Sequence, residues 1–234
     1  MQEQAIVSVT DVTKIYQQGK IEVRAVDGIT FHIDKGDFAA LSGPSGSGKT
    51  TLLNLIGGLD APSSGRISLE GKAFDSLTRT QTAAIRRDRI GFVFQAYNLI
   101  PVMTAYENAE FVLTLQGVPD SQRRERVISI LKEVGLDGLE NRRPDEMSGG
   151  QQQRVAIARA IVTKPAIVLA DEPTANVDSN TADALLDLMQ QLNCDSGVTF
   201  LFSTHDHRVM DRAKRLISLK DGKIKTDDKS KDIV

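Results

Sequence analysis

The run Gly43-Pro44-Ser45-Gly46-Ser47-Gly48-Lys49-Thr50 fits G-x-x-x-x-G-K-[ST] at every position. Such a loop wraps nucleotide phosphates with backbone N–H groups, so it needs a strand leading in and a helix leading out. Both flanks supply this. Asp37 to Ser42 is a short apolar run, and Thr50 to Ile56 carries apolar residues at 52, 53, 55 and 56 before Gly57-Gly58 stops it. Gly43, Gly46 and Gly48 let the backbone bend and approach phosphate oxygens without Cβ clashes. The Lys49 ammonium then reaches the β/γ oxygens, and the Thr50 hydroxyl is placed for Mg²⁺. A glycine-rich turn matching by accident would lack the strand and the helix.

The remaining sequence alternates strand-like and helix-like segments. Ile6 to Val9 and Gly28 to Ile33 alternate as half-buried strands, and Gly65 to Glu70 reads as another. Ile90 to Phe94, Ala166 to Ala170 and Val198 to Ser203 are continuous apolar runs, as parallel strands buried on both faces require. Tyr106 to Leu115, Ser121 to Val134, Gln151 to Val162 and Thr181 to Leu192 have helical spacing. Asp221-Gly222 between Ile217–Leu219 and Lys223-Ile224 predicts a hairpin, and Asp227 onward reads as a frayed polar tail. The pattern predicts an α/β fold with a mostly parallel central sheet.

Composition narrows the class. A formal net charge of −2 leaves no global footprint for nucleic acid. The clusters Arg86-Arg87-Asp88-Arg89 and Arg123-Arg124-Glu125-Arg126 are broken by acids and read as solvated helix faces. One cysteine, Cys194, excludes an intrachain disulfide within this sequence. Met1-Gln2-Glu3-Gln4 lacks the character of a secretion signal, and no apolar stretch approaches the ~20 residues of a membrane helix.

Asp171 closes the run Ala166–Ala170, where a parallel strand delivers its last residue to the ligand crevice, and a carboxylate there suits Mg²⁺. Glu172 follows directly. Phe200 to Asp206 is a second apolar run, ending in His205. Ser148-Gly149-Gly150-Gln151, opening another helix, is also equipped for phosphate, with a hydroxyl and flexible N–H groups.

With the glycine loop, Ser148-Gly149-Gly150-Gln151 and Asp171-Glu172 together, the chain resembles the ATP-binding cassette (ABC) ATPases from about Ile6 to Ile224. Gly57 to Gly65, Phe92 to Pro101 and Met147 to Ala160 resemble most closely the lipoprotein-releasing and macrolide-export group. Val177 and Met147 stand where members mostly have leucine, and both swaps conserve apolar volume.

The resemblance implies one nucleotide-binding domain over 5–226: a P-loop core of 5–95 and 161–226 with an N-terminal antiparallel β subdomain, an inserted helical subdomain at 96–160, and a tail at 227–234. It implies ATP and Mg²⁺, with ATP held by Gly43 to Thr50, Thr51, Tyr16 stacked on adenine, and Ser148 to Gln151. Glu172 would be the general base, His205 would bond the γ-phosphate, Lys49 would assist catalysis, and Gln95 would touch Mg²⁺ and the attacking water, alongside Thr50 and Asp171. Asp178, in Ala175-Asn176-Val177-Asp178, would contact a second copy.

The helix start at Ser148 is expected to lie too far from Gly43–Thr50 to share one nucleotide. The family resolves this with a head-to-tail homodimer around ATP. That pair would act beneath integral-membrane permease subunits, cytoplasmic and peripheral on the inner face of the cell membrane. Leu99, Ile100 and Met103 would form either the groove receiving a permease helix or simply a small core. The alternative class is a non-transport ABC ATPase of cell division, DNA repair or translation. The step of 99 positions from Lys49 to Ser148 leaves no room for the long coiled coil of chromosome-type members.

Overall fold

The computed structural model describes residues 5–229, in which ten strands and seven α-helices are found. The strands are β1 (Ala5–Gln18), β2 (Ile21–Asp34), β3 (Phe38–Ser42), β4 (Ser64–Leu69), β5 (Lys72–Ala73), β6 (Ile90–Val93), β7 (Ile167–Asp171), β8 (Phe200–Thr204), β9 (Arg215–Lys220) and β10 (Lys223–Lys229). The helices are α1 (Lys49–Ile56), α2 (Arg79–Arg89), α3 (Ala105–Leu115), α4 (Asp120–Glu133), α5 (Gly149–Ile161), α6 (Ser179–Ser196) and α7 (His207–Arg212).

Two sheets form. An antiparallel one runs β2-β1-β4-β5, and a six-stranded one runs β10-β9-β3-β8-β7-β6. In the larger sheet only β10 is antiparallel to its neighbour. This is the α/β core that the sequence pattern predicts, with the N-terminal antiparallel layer that the resemblance implies.

The apolar runs are continuous because both faces of the larger sheet are covered. Phe38, Ala40, Val168, Ala170, Phe200 and Phe202 point to one side, into a core shared with α3, α4, α5 and α6. Ala39, Leu41, Ile167, Leu169 and Leu201 point to the other, onto α1 and the antiparallel sheet. Helices α1 and α5 therefore flank opposite faces of one sheet. Residues 96–160 have no isolated core, since α5 seals directly onto the edge strand β6. At Gly91 of β6 an added Cβ would strike the Ala160 carbonyl oxygen of α5.

Side-chain caps define five helix starts: Thr78 on α2, Thr104 on α3, Ser148 on α5, Asp178 on α6 and Asp206 on α7. Three of these are capping boxes, and that of Ser148 and Gln151 starts α5 at Gly149, two residues before the predicted Gln151. Helix α7 was not legible, being only one and a half turns long. The arginine clusters are not merely solvated. Arg89 forms a bidentate pair with Glu70, and Arg123 bonds Glu110 and the Val118 carbonyl.

The tail prediction fails at residues 227–229, which continue β10 and pair with β9. Asp227 accepts two hydrogen bonds at 2.8 Å from the buried Arg215 guanidinium, an attachment that composition could not reveal. Residues 230–234 of the predicted tail lie outside the described residues.

Candidate active site

Strand β3 enters the glycine loop and α1 leaves it, with Gly48 at the N-cap in a left-handed conformation and no side-chain cap. Such an uncapped helix start offers its N–H groups and positive dipole end to an anion. Two of the glycines are also dictated by what lies behind the loop. A Cβ on Gly43 would meet the Leu219 carbonyl oxygen, and one on Gly48 that of Ala25. The β9–β10 turn braces the loop through the Gly222 N–H, donated to the Ser47 carbonyl at 3.2 Å. Lys49 is buried, and its Nζ donates to the carbonyls of Gly43 at 2.8 Å and Pro44 at 3.1 Å. Those bonds aim the ammonium along the loop. Pro44, Ser45 and Gly46 form the loop's outer rim, and Thr51 follows Thr50 in the first turn of α1.

Strands β7 and β8 are neighbours in register, Asp171 opposite Ser203, so their C-terminal residues converge beside α1. The Thr50 hydroxyl donates to Asp171 Oδ1 at 3.1 Å. Glu172 has φ 45°, which turns its side chain away from that of Asp171 and toward the end of β8. There Glu172 Oε2 accepts from the Thr204 hydroxyl at 3.2 Å, while Oε1 lies 2.6 Å from His205 Nδ1. The two adjacent acids thus serve different partners. Thr204, buried, also accepts the Asp206 N–H at 2.9 Å. Asp206 accepts from Thr174 Oγ1 and from the Arg208 guanidinium, which holds its carboxyl down at about 2. The sequence reading missed Thr204 and Asp206; their position flanking His205 at a strand end was the available signal.

Ser148 is exposed at the start of α5, and its Oγ accepts the Gln151 N–H at 3.3 Å. Acceptance leaves the hydroxyl proton free for another acceptor. Gly149 sits under the Tyr97 hydroxyl, and Gly150 against Thr181, which donates to the Asp178 carboxylate. Asp178 is exposed, and these bonds from Thr181 hold its carboxyl below the usual range. Gln95 is exposed past the end of β6, with its carbonyl accepting from Asn176 Nδ2 at 2.8 Å.

Helix α5 packs on β6, three positions from β3 in the sheet, about 14 Å sideways at ordinary strand spacing. It also lies on the face opposite α1. The starts of α1 and α5 are therefore separated within one chain.

Tyr16 pairs with Val23 across the β1–β2 ladder and is partly exposed. Its hydroxyl donates to Asp60 at 2.8 Å, and Lys14 Nζ lies 4.9 Å from its ring centroid. Desolvation, then Asp60, raises its pKa, while the neighbouring Thr51 acts the other way. Tyr16 is thus carried beside α1.

The family model described as ABC transporter matches residues 26–175. An uncharacterized ABC transporter ATP-binding protein, MJ0796, of Methanocaldococcus jannaschii is 41% identical over 96% of this chain and 97% of its own length. The macrolide export ATP-binding/permease protein MacB of Hyphomonas neptunium is 44% identical over 97% of this chain, which spans only 35% of that relative's length. Among solved structures, a dimeric post-hydrolysis state of the MJ0796 cassette bound to ADP and Pi superposes with a TM-score of 0.89 at 41% identity. That match covers 97% of this chain and all of the other.

Proposed function

We infer, because this chain belongs to the ABC transporter family and folds as its ATP-binding cassette, that it hydrolyses ATP as a head-to-tail pair and thereby drives a membrane permease. The observation carrying this reading is the placement of α1 and α5 on opposite sheet faces, each start equipped for phosphate. One nucleotide cannot engage both within a single chain. A two-fold pair brings Ser148 of each copy to the triphosphate held by the other's Lys49, making two equal sites.

Within a site, the loop N–H groups and Lys49 bind the β- and γ-phosphates. Thr50 and Asp171, a hydroxyl and a carboxylate 3.1 Å apart, fit Mg²⁺, which takes hard oxygen ligands and keeps several waters. With Gln95 they would hold it, and it would supply charge neutralisation on the phosphate oxygens. Glu172 accepts a proton from the water whose oxygen attacks the γ-phosphorus as the bond to the β–γ bridging oxygen breaks. His205 orients the Glu172 carboxylate and bonds the γ-phosphate. Tyr16 offers its ring to adenine, and Asp178 meets the second copy.

The permease contact is assigned to the seam between α2 and α3. Phe111 and Leu115 of α3 are exposed, Arg87 of α2 donates to the Leu115 carbonyl, and Val102, ahead of α3, and Leu59, after α1, are exposed as well. Leu99, by contrast, packs on the core. Among the described residues no helix is long and apolar enough to cross a membrane. A permease contact on this face would give the cassette a peripheral place beneath the bilayer, on its cytoplasmic side. Transport of macrolide-like cargo is proposed from the relatives alone. Gel filtration of Glu172→Gln tests the pair: a dimer with Mg-ATP and a monomer without are expected, and a monomer in both would overturn it.

A further inference from the structure

Tyr97 and Asn98 have φ of 59° and 50°, consecutive left-handed residues that are not glycine. Such a kink persists only where its surroundings enforce it. Arg159, from the last turn of α5, donates to the Tyr97 carbonyl at 2.8 Å and the Asn98 carbonyl at 2.6 Å. Burial lowers the pKa of that guanidinium. The kink aims the Tyr97 ring across the top of α5. Its hydroxyl donates to the Asn176 carbonyl at 3.0 Å, and the Asn176 side-chain amide returns a bond to the Gln95 carbonyl at 2.8 Å. Gly149 lies directly beneath; a Cβ there would stand 2.8 Å from the Tyr97 hydroxyl oxygen. Burial raises the Tyr97 pKa, which keeps the hydroxyl a donor.

Three segments thus meet at one phenol: the loop bearing Gln95, the start of α5 bearing Ser148, and the loop bearing Asp178. In the paired-site reading the first serves the chain's own nucleotide and the other two face the second copy.

We propose that Tyr97 is a positioning residue whose hydroxyl locks these segments together, so that Gln95 at one nucleotide and Ser148 at the other are set as a unit. The proposal rests on the paired-site reading above. Without the hydroxyl, Arg159 still holds the kink and the Asn176 amide still reaches the Gln95 carbonyl, so the fold persists while the kink loses its bond to the Asn176 carbonyl.

The test compares Tyr97→Phe, Asn176→Ala and the double variant, with melting temperature as the fold control. Expected for each is a kcat about tenfold lower, within the range of inter-site coupling, a Hill coefficient for ATP falling toward one, and unchanged affinity of the monomer for a fluorescent ATP analogue. Tyr97→Phe removes the bond to the Asn176 carbonyl and Asn176→Ala the separate bond to the Gln95 carbonyl, so the double variant, which severs both, should lose more than either single one. Wild-type kcat and Hill coefficient in Tyr97→Phe would overturn the proposal. Dimerisation of Glu172→Gln with Mg-ATP is run in parallel. Its failure rejects the paired site itself, whereas its success beside an unaffected Tyr97→Phe rejects only the role of Tyr97.

Discussion

Nδ1 of His205 lies 2.6 Å from Oε1 of Glu172, while Thr204 holds the other carboxylate oxygen at 3.2 Å. An ionised carboxylate only accepts, so Nδ1 carries the proton and a neutral ring presents a lone pair at Nε2. To donate to a γ-phosphate, the imidazole must then either be cationic or give up Glu172. In the second case, arrival of ATP frees the carboxylate toward water while Thr204 keeps it aligned.

Replacing Glu172 by Gln preserves shape and backbone but removes the base. ATP binding should persist and kcat should fall by ~10²–10⁴. Steady-state phosphate release against nucleotide affinity separates the two effects; a variant retaining more than a tenth of wild-type kcat would assign the base elsewhere.

Thr204→Val should lower kcat about tenfold with KM unchanged, because it removes one hydrogen bond that orients the carboxylate. Thr204→Ser retains the hydroxyl and should recover most of the rate. Equal losses in both would place the role in methyl packing instead.

Thr50→Ala removes the hydroxyl beside Asp171. The Mg²⁺ concentration for half-maximal activity should rise about tenfold, and chelation with EDTA should abolish turnover in wild type. An unchanged Mg²⁺ requirement would move the ion away from Thr50.

Acid stability should report Asp206. Its folded pKa of about 2, below the ordinary 3.8, is set first by the Arg208 hydrogen bond. A depressed carboxylate contributes stability above pH 4 that is lost as pH falls from about 4 to 2. After solvent screening this is about 1 kcal/mol. Asp206→Asn should flatten that part of the stability curve; identical acid midpoints by circular dichroism would count against the pair.

Asp227→Ala leaves the buried Arg215 guanidinium only the His32 carbonyl at 2.6 Å and the Asp37 carboxylate at 3.7 Å, and should cost about 2 kcal/mol. A lower urea midpoint with an unchanged slope is the expected result. An unshifted midpoint would return residues 227–229 to the status of a loose tail.

What the sequence determined is local and chemical. The glycine run, the carboxylates ending one apolar stretch and the histidine ending another each follow from fixed spacing within one strand–loop–helix unit, and short-range spacing survives folding unchanged. Even α5 was visible, because Ser148 and Gln151 build its cap from residues three apart. The larger arrangement was decided by tertiary structure. Strand order puts Thr204 against Glu172 across 32 residues, and two-faced burial of the sheet puts α1 and α5 on opposite sides. Pairing of β10 with β9 brings Asp227 to Arg215. The apolar runs told that both faces are buried and Asp221-Gly222 that a hairpin joins β9 and β10, but which helix covers which face, which parallel strands are neighbours and how far β10 runs are set by packing, and no periodicity along the chain encodes them.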